Sequence, residues 1–559
     1  MSERILVAVA WPYANGPLHL GHLAGAYLPA DIFARYHRAK GNEVLMVSGS
    51  DQHGTPITLR AEQEGIAPQE VVNRYHNLFL QSWEKMGITF DLFTTTGTAN
   101  HAAVVHDIFK SLWDQDYIYK GSMSLPYCHT CKRFLPDRYV TGTCPFCASK
   151  SARGDQCDNC NKPLSPLDLG DLRCRICGSA PEIRDSEHLF LRLSAFEEKL
   201  LAWVKQQTHW RSNVLNFTIN FISEGLKDRA ITRDLDWGVP VPLPGFEDKR
   251  IYVWFEAVIG YLSASIEWAK AQGDEERWRD FWHGEAKTYY FIGKDNIPFH
   301  AIIWPAMLMG YGNLNLPCDI PANEFLTLEG RQLSTSRNWA VWLPDYLERY
   351  EPDPLRYYLS AAMPETADAN FSWREFLRRN NDELVATYGN LVHRVLSFTY
   401  RSFEGRVPTP GELDAVNSTL MAKIEATFEE VDKLLYGCHL KEAIRKAMTL
   451  AQEANRYIDE KAPWKAIKEN PQDCATTLWC AIAVISGLKT ILYPFLPFGS
   501  AKLHRLLGFN STHPLERWEL VYPSPGQSLE EPKPIFTKLD EGIVEEETKR
   551  LEGSLRSGD

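Results

Sequence analysis

Residues 5–22 read Ile5-Leu6-Val7-Ala8-Val9-Ala10-Trp11-Pro12-Tyr13-Ala14-Asn15-Gly16-Pro17-Leu18-His19-Leu20-Gly21-His22. The first seven are apolar without a break, as in a strand buried on both faces of a parallel sheet. Leu20 to Lys40 carry helical spacing, and a second apolar strand is expected at 43–49. Together they make a βαβ unit. Pro12 to Leu18 form the loop between strand and helix. Two imidazoles three residues apart at a helix N-terminus form a phosphate site, because free N–H groups and the helix dipole attract an anion there. His19 and His22 add donors for charge that develops on a phosphoryl group. Gly21 lets a flat ring approach the backbone.

The rest of the chain extends this unit. The second strand ends in Gly49-Ser50-Asp51-Gln52-His53-Gly54, polar residues where doubly wound sheets bind ligands. A cysteine-rich segment then interrupts the pattern. Ile251 to Phe255 and Tyr289 to Ile292 read as further strands, with helices at about 257–270 and 296–310. From Glu383 to Leu492 the spacing is helical in four segments. The expected fold class is α/β, a split Rossmann-like parallel sheet with a metal-binding insert, followed by an α-helical bundle. The boundaries are 1–115 and 231–322 for the two sheet halves and 116–230 for the insert. A loop region follows at 323–375, the bundle at 376–525 and a polar C-terminal tail, or short docked helix, at 526–559.

Composition narrows the class. With 559 residues, 44% hydrophobic and 24% charged, the chain has room for several domains with ordinary cores. No apolar run is read as long enough to span a membrane, and the start lacks a signal peptide's features, so a cytoplasmic protein is expected. A net charge of −12 argues against indiscriminate nucleic-acid binding, while leaving local basic surfaces free to meet phosphates.

Eight of the twelve cysteines form four C-x-x-C pairs: Cys128/Cys131, Cys144/Cys147, Cys157/Cys160 and Cys174/Cys177. Each pair offers two thiolates, and two pairs close a four-thiolate structural site, so two Zn2+ ions are expected. The middle pairs are near enough to close one ribbon and leave the outer pairs to share the second ion. Pairing in sequence order is the alternative. Cys318, Cys438, Cys474 and Cys480 lie in apolar contexts and read as buried thiols.

The block from Pro12 to His22 resembles the HIGH motif of class I aminoacyl-tRNA synthetases, and in its longer form it resembles the methionyl-tRNA synthetase family. The resemblance covers nearly the whole chain. It implies ATP with Mg2+, L-methionine and tRNA(Met) as partners, and a monomer. It places His19 and His22 at the phosphates, Gly21 at adenine and Asn15 in closing the loop. Gly293-Lys294-Asp295 would meet ATP, with the aspartate at the ribose. Gln332-Leu333-Ser334-Thr335-Ser336 would be the mobile KMSKS loop, in a variant similar to KFSTSR. Lysines are missing at Gln332 and Thr335, so Arg331 or Arg337 is expected to supply charge for the pyrophosphate, with Thr335 donating a hydrogen bond. The methionine pocket would comprise Tyr13, Trp254, Ala257, Tyr261, His300 and Trp304, with Asp51 accepting the α-amino group. Asn390, Arg394 and Trp464 would read the CAU anticodon, beside a phosphate patch of Arg374, Arg378 and Arg379. The insert is too small for the editing domain of the isoleucine, valine and leucine enzymes.

Two other functions fit parts of this pattern. One is a nucleotidylyltransferase of the same fold, which the helical bundle and chain length disfavour. The other is a synthetase-like tRNA-binding protein without catalysis, whose support is the altered loop.

Overall fold

The computed structural model describes residues 2–154, 157, 159–160, 162, 164–335, 337–509 and 514–556. Five parallel strands form the central sheet, in the order Ala322–Asn323, Lys287–Gly293, Arg4–Val9, Glu43–Ser50, Leu92–Thr95. Arg4–Val9 is central, with Val7 opposite Met46 on one side and Tyr289 on the other. Ile5 to Val9 are fully buried, which explains why the sequence shows no polar alternation there. The strand order reverses at this strand, so a crevice opens beyond its C-terminal end.

The helix after the loop is continuous from Leu20 to Ala39 but widens into a π-turn over Leu23–Tyr27. A second π-turn, Phe299–Ile303, precedes the helix Trp304–Tyr311. Such turns are rare and concentrate at functional sites. The run from Ile251 to Phe255 is not a strand as expected. Only Arg250–Ile251 is extended, and a helix covers Val253–Ala271. This helix is buried on nearly every side, so its sequence shows the unbroken apolar run that also marks a buried strand.

The insert stands on two long antiparallel strands, Ile118–Cys128 and Glu182–Leu191, paired from Ile118 with Leu191 to Tyr127 with Glu182. The cysteine pairs sit at its far end. Its helices Glu197–Val204 and Ser212–Ser223 instead bury Leu200, Val204, Val214 and Ile222 in the core beside the central sheet.

The helical part packs Asn390–Ser402, Ala415–Tyr436, Leu440–Lys461 and Pro471–Leu492. Contrary to the sequence reading, Pro471–Leu492 is long and apolar enough to cross a membrane by length and composition. It is the central helix of the bundle, and almost all of it is buried by its neighbours. Of the two readings of the last segment, tail or short docked helix, the structure shows the docked helix. Ile535, Phe536 and Leu551 are buried, Asn381 exchanges two 2.9 Å hydrogen bonds with the Leu539 backbone, and a helix covers Ile543–Arg556. Glu547 on that helix takes Arg349 Nε at 2.9 Å and Nη2 at 3.0 Å. Its few apolar anchors are scattered among charges, so periodicity alone did not choose between tail and docked helix.

One buried ionic joint ties the halves. Asp31 Oδ2 receives Arg35 Nε at 2.9 Å and Arg356 Nη2 at 2.7 Å. Arg356 is wholly buried and also donates to the carbonyls of Pro494 and Phe495 at the end of the bundle's central helix.

Candidate active site

His19 caps the helix with its side chain. Its Nδ1 accepts the Gly21 N–H at 3.1 Å, and His22 Nδ1 accepts the His19 N–H at 3.1 Å. The rings stack with centroids 3.8 Å apart. Because each Nδ1 accepts a backbone proton, each neutral ring carries its own proton on Nε2. Burial pushes both imidazoles down, His22 to about 4, so at neutral pH the pair offers two uncharged Nε2–H donors. The side chain of Leu333 lies over Gly21, where an added Cβ would stand 2.8 Å from Leu333 Cδ1. The 332–333 segment therefore roofs a cavity of about 370 Å³ lined by Gly21, Tyr27, Gly293, Asp295 and Gln332. Asn15 lines a second, adjoining cavity with His22.

Asp51 begins the loop after Glu43–Ser50 and pairs with Tyr13 across the crevice. Its backbone N–H donates to Pro12 O at 2.8 Å, and its carbonyl accepts from Ala14 N at 2.9 Å. Burial, then the charge of Glu256, push the Asp51 carboxyl well up, against one hydrogen bond from the His53 N–H. Glu256 was not singled out in the sequence. It is fully buried, bonded to His53 Nδ1 at 2.8 Å and His101 Nε2 at 2.5 Å. Burial raises its carboxyl, but the two histidines outweigh that and hold it at about 2. A carboxylate in an apolar helix was the available signal, since acids are seldom fully buried without partners.

The expected methionine residues gather in one cluster behind this crevice. Tyr261 Oη donates to His300 Nε2 at 2.7 Å, and His300 Nδ1 donates to Asn296 O at 2.9 Å. Burial lowers His300 to about 4, in keeping with a neutral ring. Trp304 Nε1 donates to Tyr290 Oη at 2.9 Å, and Trp304 is wholly buried. Trp254 is buried, Ala257 is half-buried and Tyr13 is exposed at the mouth. Trp11 joins them edge-on to Tyr261 at 6.3 Å. Its indole fills the space a side chain would need at Gly49 or Gly260, where an added Cβ would meet it at 2.2 Å or 2.7 Å. The cavity under Leu333 reaches Trp11 and Tyr13 but not Trp254, Tyr261, His300 or Trp304.

Lys294 and Asp295 part company. Asp295 lines the cavity under Leu333, and burial raises its carboxyl. Lys294 is held by Glu324 Oε2 at 2.7 Å and Asp368 Oδ1 at 2.8 Å. In the 331–338 loop, Gln332 and Thr335 are exposed and Ser334 pairs with Trp339, while Ser336 lies outside the described residues. Arg331 stacks on the Trp339 ring at 5.3 Å, and Arg337 Nε donates to Ser334 Oγ at 3.2 Å. Neither arginine lines either cavity.

The cysteines resolve into two groups. Cys128, Cys131, Cys174 and Cys177 form one, and Cys144, Cys147, Cys157 and Cys160 the other, each with its sulfurs within 4.8 Å of one another. This is the nested pairing, and pairing in sequence order is excluded. Sulfur separations of 3.5 Å for Cys128–Cys177 and 3.8 Å for Cys131–Cys174 and Cys144–Cys160 match the roughly 3.8 Å edge of a tetrahedral zinc tetrathiolate.

On the bundle, Asn390 and Arg394 are exposed, and Trp464 is 42% exposed. The Arg394 guanidinium lies 5.6 Å from the Trp464 ring centre and is held by Asp459 at 2.8 Å. Ala462, with φ +39°, ends one helix, and Pro463 begins the next, which turns the ring outward. The expected arginine patch is mostly spoken for. Arg378 and Arg379 pair with Glu375 and Glu383, which leaves Arg374 exposed beside them.

The family described as tRNA synthetases class I (M) matches residues 5–396, and the anticodon binding domain of methionyl tRNA ligase matches 407–556. The chain is 61% identical over 551 residues to the methionine–tRNA ligase of Dehalococcoides mccartyi, covering 99% of this chain and 100% of that one. It is 55% identical over 579 residues to that of Thermomicrobium roseum, covering 99% of both. The Mycobacterium tuberculosis methionyl-tRNA synthetase in complex with methionyl-adenylate superposes with a TM-score of 0.81 at 27% identity, covering 96% of this chain and 100% of that one. The fold and the histidine-capped crevice are thus those of a class I aminoacyl-tRNA synthetase. Within that class, the chain belongs to the methionine–tRNA ligase family.

Proposed function

We propose that this chain joins L-methionine to tRNA(Met) in two steps, first forming methionyl-adenylate from ATP and then esterifying the 3′-terminal ribose. The observation that carries the reading is the stacked pair of neutral histidines facing Asp295 across the sheet's switch point. In the first step a methionine carboxylate oxygen attacks the α-phosphorus, and the bond to the bridging oxygen of pyrophosphate breaks. His19 and His22 donate from Nε2 to phosphate oxygens as charge shifts toward the leaving group. No enzyme nucleophile takes part, so positioning is the main contribution. Adenine lies under Leu333 against Gly21, and Asp295 bonds the ribose. Asp51 accepts the methionine ammonium, while the Trp11–Tyr261–His300 cluster meets the thioether and supplies soft aromatic contacts.

The two cysteine groups hold structural Zn2+, closed sites with no position for substrate. ATP enters with Mg2+. Asn390, Arg394 and Trp464 bind unstacked anticodon bases by stacking and amide or guanidinium hydrogen bonds. The working unit is a cytoplasmic monomer. Methionine-dependent exchange of labelled pyrophosphate into ATP, followed by charging of tRNA(Met), tests the whole reading. An enzyme that binds tRNA but exchanges no pyrophosphate would be the non-catalytic alternative. Metal analysis should find two zinc ions, and replacing Cys144 and Cys147 should remove one.

A further inference from the structure

The second cavity, of about 660 Å³, adjoins the nucleotide cavity through Tyr13 and His22 and is also lined by Thr335 of the 331–338 loop. Four arginines line it: Arg60, Arg138, Arg153 and Arg175. No carboxylate lines it among the described residues. Arg60 comes from the helix Thr55–Glu64 of the catalytic half and is also paired with Glu64. The other three come from separate parts of the zinc-bearing insert: the turn Asp137–Tyr139, the strand Ala152–Arg153 and the residue after Cys174.

Tyr139 assembles these parts. It is wholly buried, its Oη donates to Thr58 Oγ1 at 2.8 Å on the Arg60 helix, and its carbonyl accepts from Arg175 N at 2.8 Å. Tyr139, with Arg133 paired to Glu62 on the same helix, therefore helps seat the insert on the catalytic half and bring the arginines together. Four guanidinium groups lining one cavity offer an oxyanion several donors at once. Guanidinium groups grip phosphate oxygens two at a time.

We infer that Arg60, Arg138, Arg153 and Arg175 form a pyrophosphate site, so that the zinc-bearing insert supplies the positive charge that the 331–338 loop lacks. The loop has glutamine and threonine where lysines are expected, and its two arginines turn to Trp339 and Ser334. The arginine cavity begins at His22, on the phosphate side of the nucleotide cavity. When the α-phosphorus bond breaks, the bond's electron pair leaves on the bridging oxygen of pyrophosphate, and no proton is consumed. The leaving group thus carries its full charge into this cavity.

The inference rests on the adenylate-forming reading above, and parental pyrophosphate exchange tests that reading separately. Arg175→Gln, Arg138→Gln and Arg60→Gln are made in the full chain, with zinc content as the check that the insert is intact. Each should raise the apparent KM for inorganic pyrophosphate in the exchange reaction roughly tenfold, the scale of one charge-assisted hydrogen bond. Methionine KM should stay at the parental value. Arg60→Gln lies outside the insert and gives an answer even where an insert variant loses zinc. The phosphodiesters of a tRNA 3′ end are the other source of the same chemistry, so single-turnover transfer from preformed adenylate is measured as well. Unchanged pyrophosphate KM in Arg60→Gln and Arg175→Gln overturns the inference. Slowed transfer with unchanged exchange also overturns it and assigns the arginines to RNA.

Discussion

The catalytic half and the helical half present their working groups in opposite ways. In the catalytic half, half-buried His19 and His22 are held by backbone N–H groups, and buried Asp51 and Glu256 are fixed by the backbone around Tyr13 and by His53 and His101. In the helical half, Trp464 and Arg394 stand in solvent and touch mainly each other and Asp459. On the proposed function, the contrast follows from the ligands. Phosphoryl transfer needs preorganised donors in a dry site, where each interaction is strong. Single-stranded bases need an open flat surface, and stacking contributes even when the ring is half in water.

Breaking the joint between the halves should have the largest effect. Asp31→Ala leaves Arg356 buried without its anion, and loss of one partner of such a pair costs about 3–5 kcal/mol. The midpoint of urea unfolding should fall accordingly. Burial raises the Asp31 carboxyl, but Arg35 and Arg356 outweigh it and hold the group below its ordinary value of 3.8. Its stabilisation is therefore present at neutral pH and lost as pH falls through the folded-state value. The alanine variant should lose that part of the parent's acid sensitivity. A parental midpoint would show the joint to be dispensable.

Within the catalytic half, His22→Ala should slow adenylate formation by roughly 10²–10³-fold, the range for one preorganised donor. Methionine binding, followed by calorimetry, should be unaffected. Equal losses in both would make His22 a fold residue and erase the contrast drawn here.

In the helical half, Trp464→Ala should weaken tRNA charging by about 1–3 kcal/mol in kcat/KM. Pyrophosphate exchange should remain parental, because an exposed ring can be removed without disturbing the crevice. Equal losses in both reactions would mean that the ring supports the fold.

The smallest effect concerns pH. The free Asp51 carboxyl is raised above its ordinary 3.8 by burial and Glu256. As pH falls toward that raised value it gains a proton, so methionine affinity should weaken at acid pH. Binding of the methionine ammonium favours the ionised carboxylate and should release a proton there, readable as a buffer-dependent calorimetric enthalpy. Glu256→Gln removes the neighbouring charge and should shift the profile to lower pH. A profile unmoved by that change would detach Glu256 from Asp51.

Much of the site was legible in the sequence because its residues act through local backbone. The histidine block needs only a strand, a loop and a helix start, all within residues 5–22. Four C-x-x-C pairs declare thiolate sites for a similar reason, since each pair is already half a site. Helix spacing marked the bundle. The run at Ile251–Phe255 misled because full burial erases the polar face that distinguishes helix from strand.

What the tertiary structure decided involves residues distant in sequence. Which knuckles share a site depended on the fold of the insert. Glu256 gained meaning only when His53 and His101 were brought to it from separate segments. Arg60 and Arg175 are far apart in the chain and unremarkable singly, yet they face one cavity because Tyr139 helps dock the insert on the catalytic half. The sequence determined the chemistry of each short block, through interactions that reach only a few residues. Long-range packing alone determined which blocks share a site, because charge and burial act through space and not along the chain.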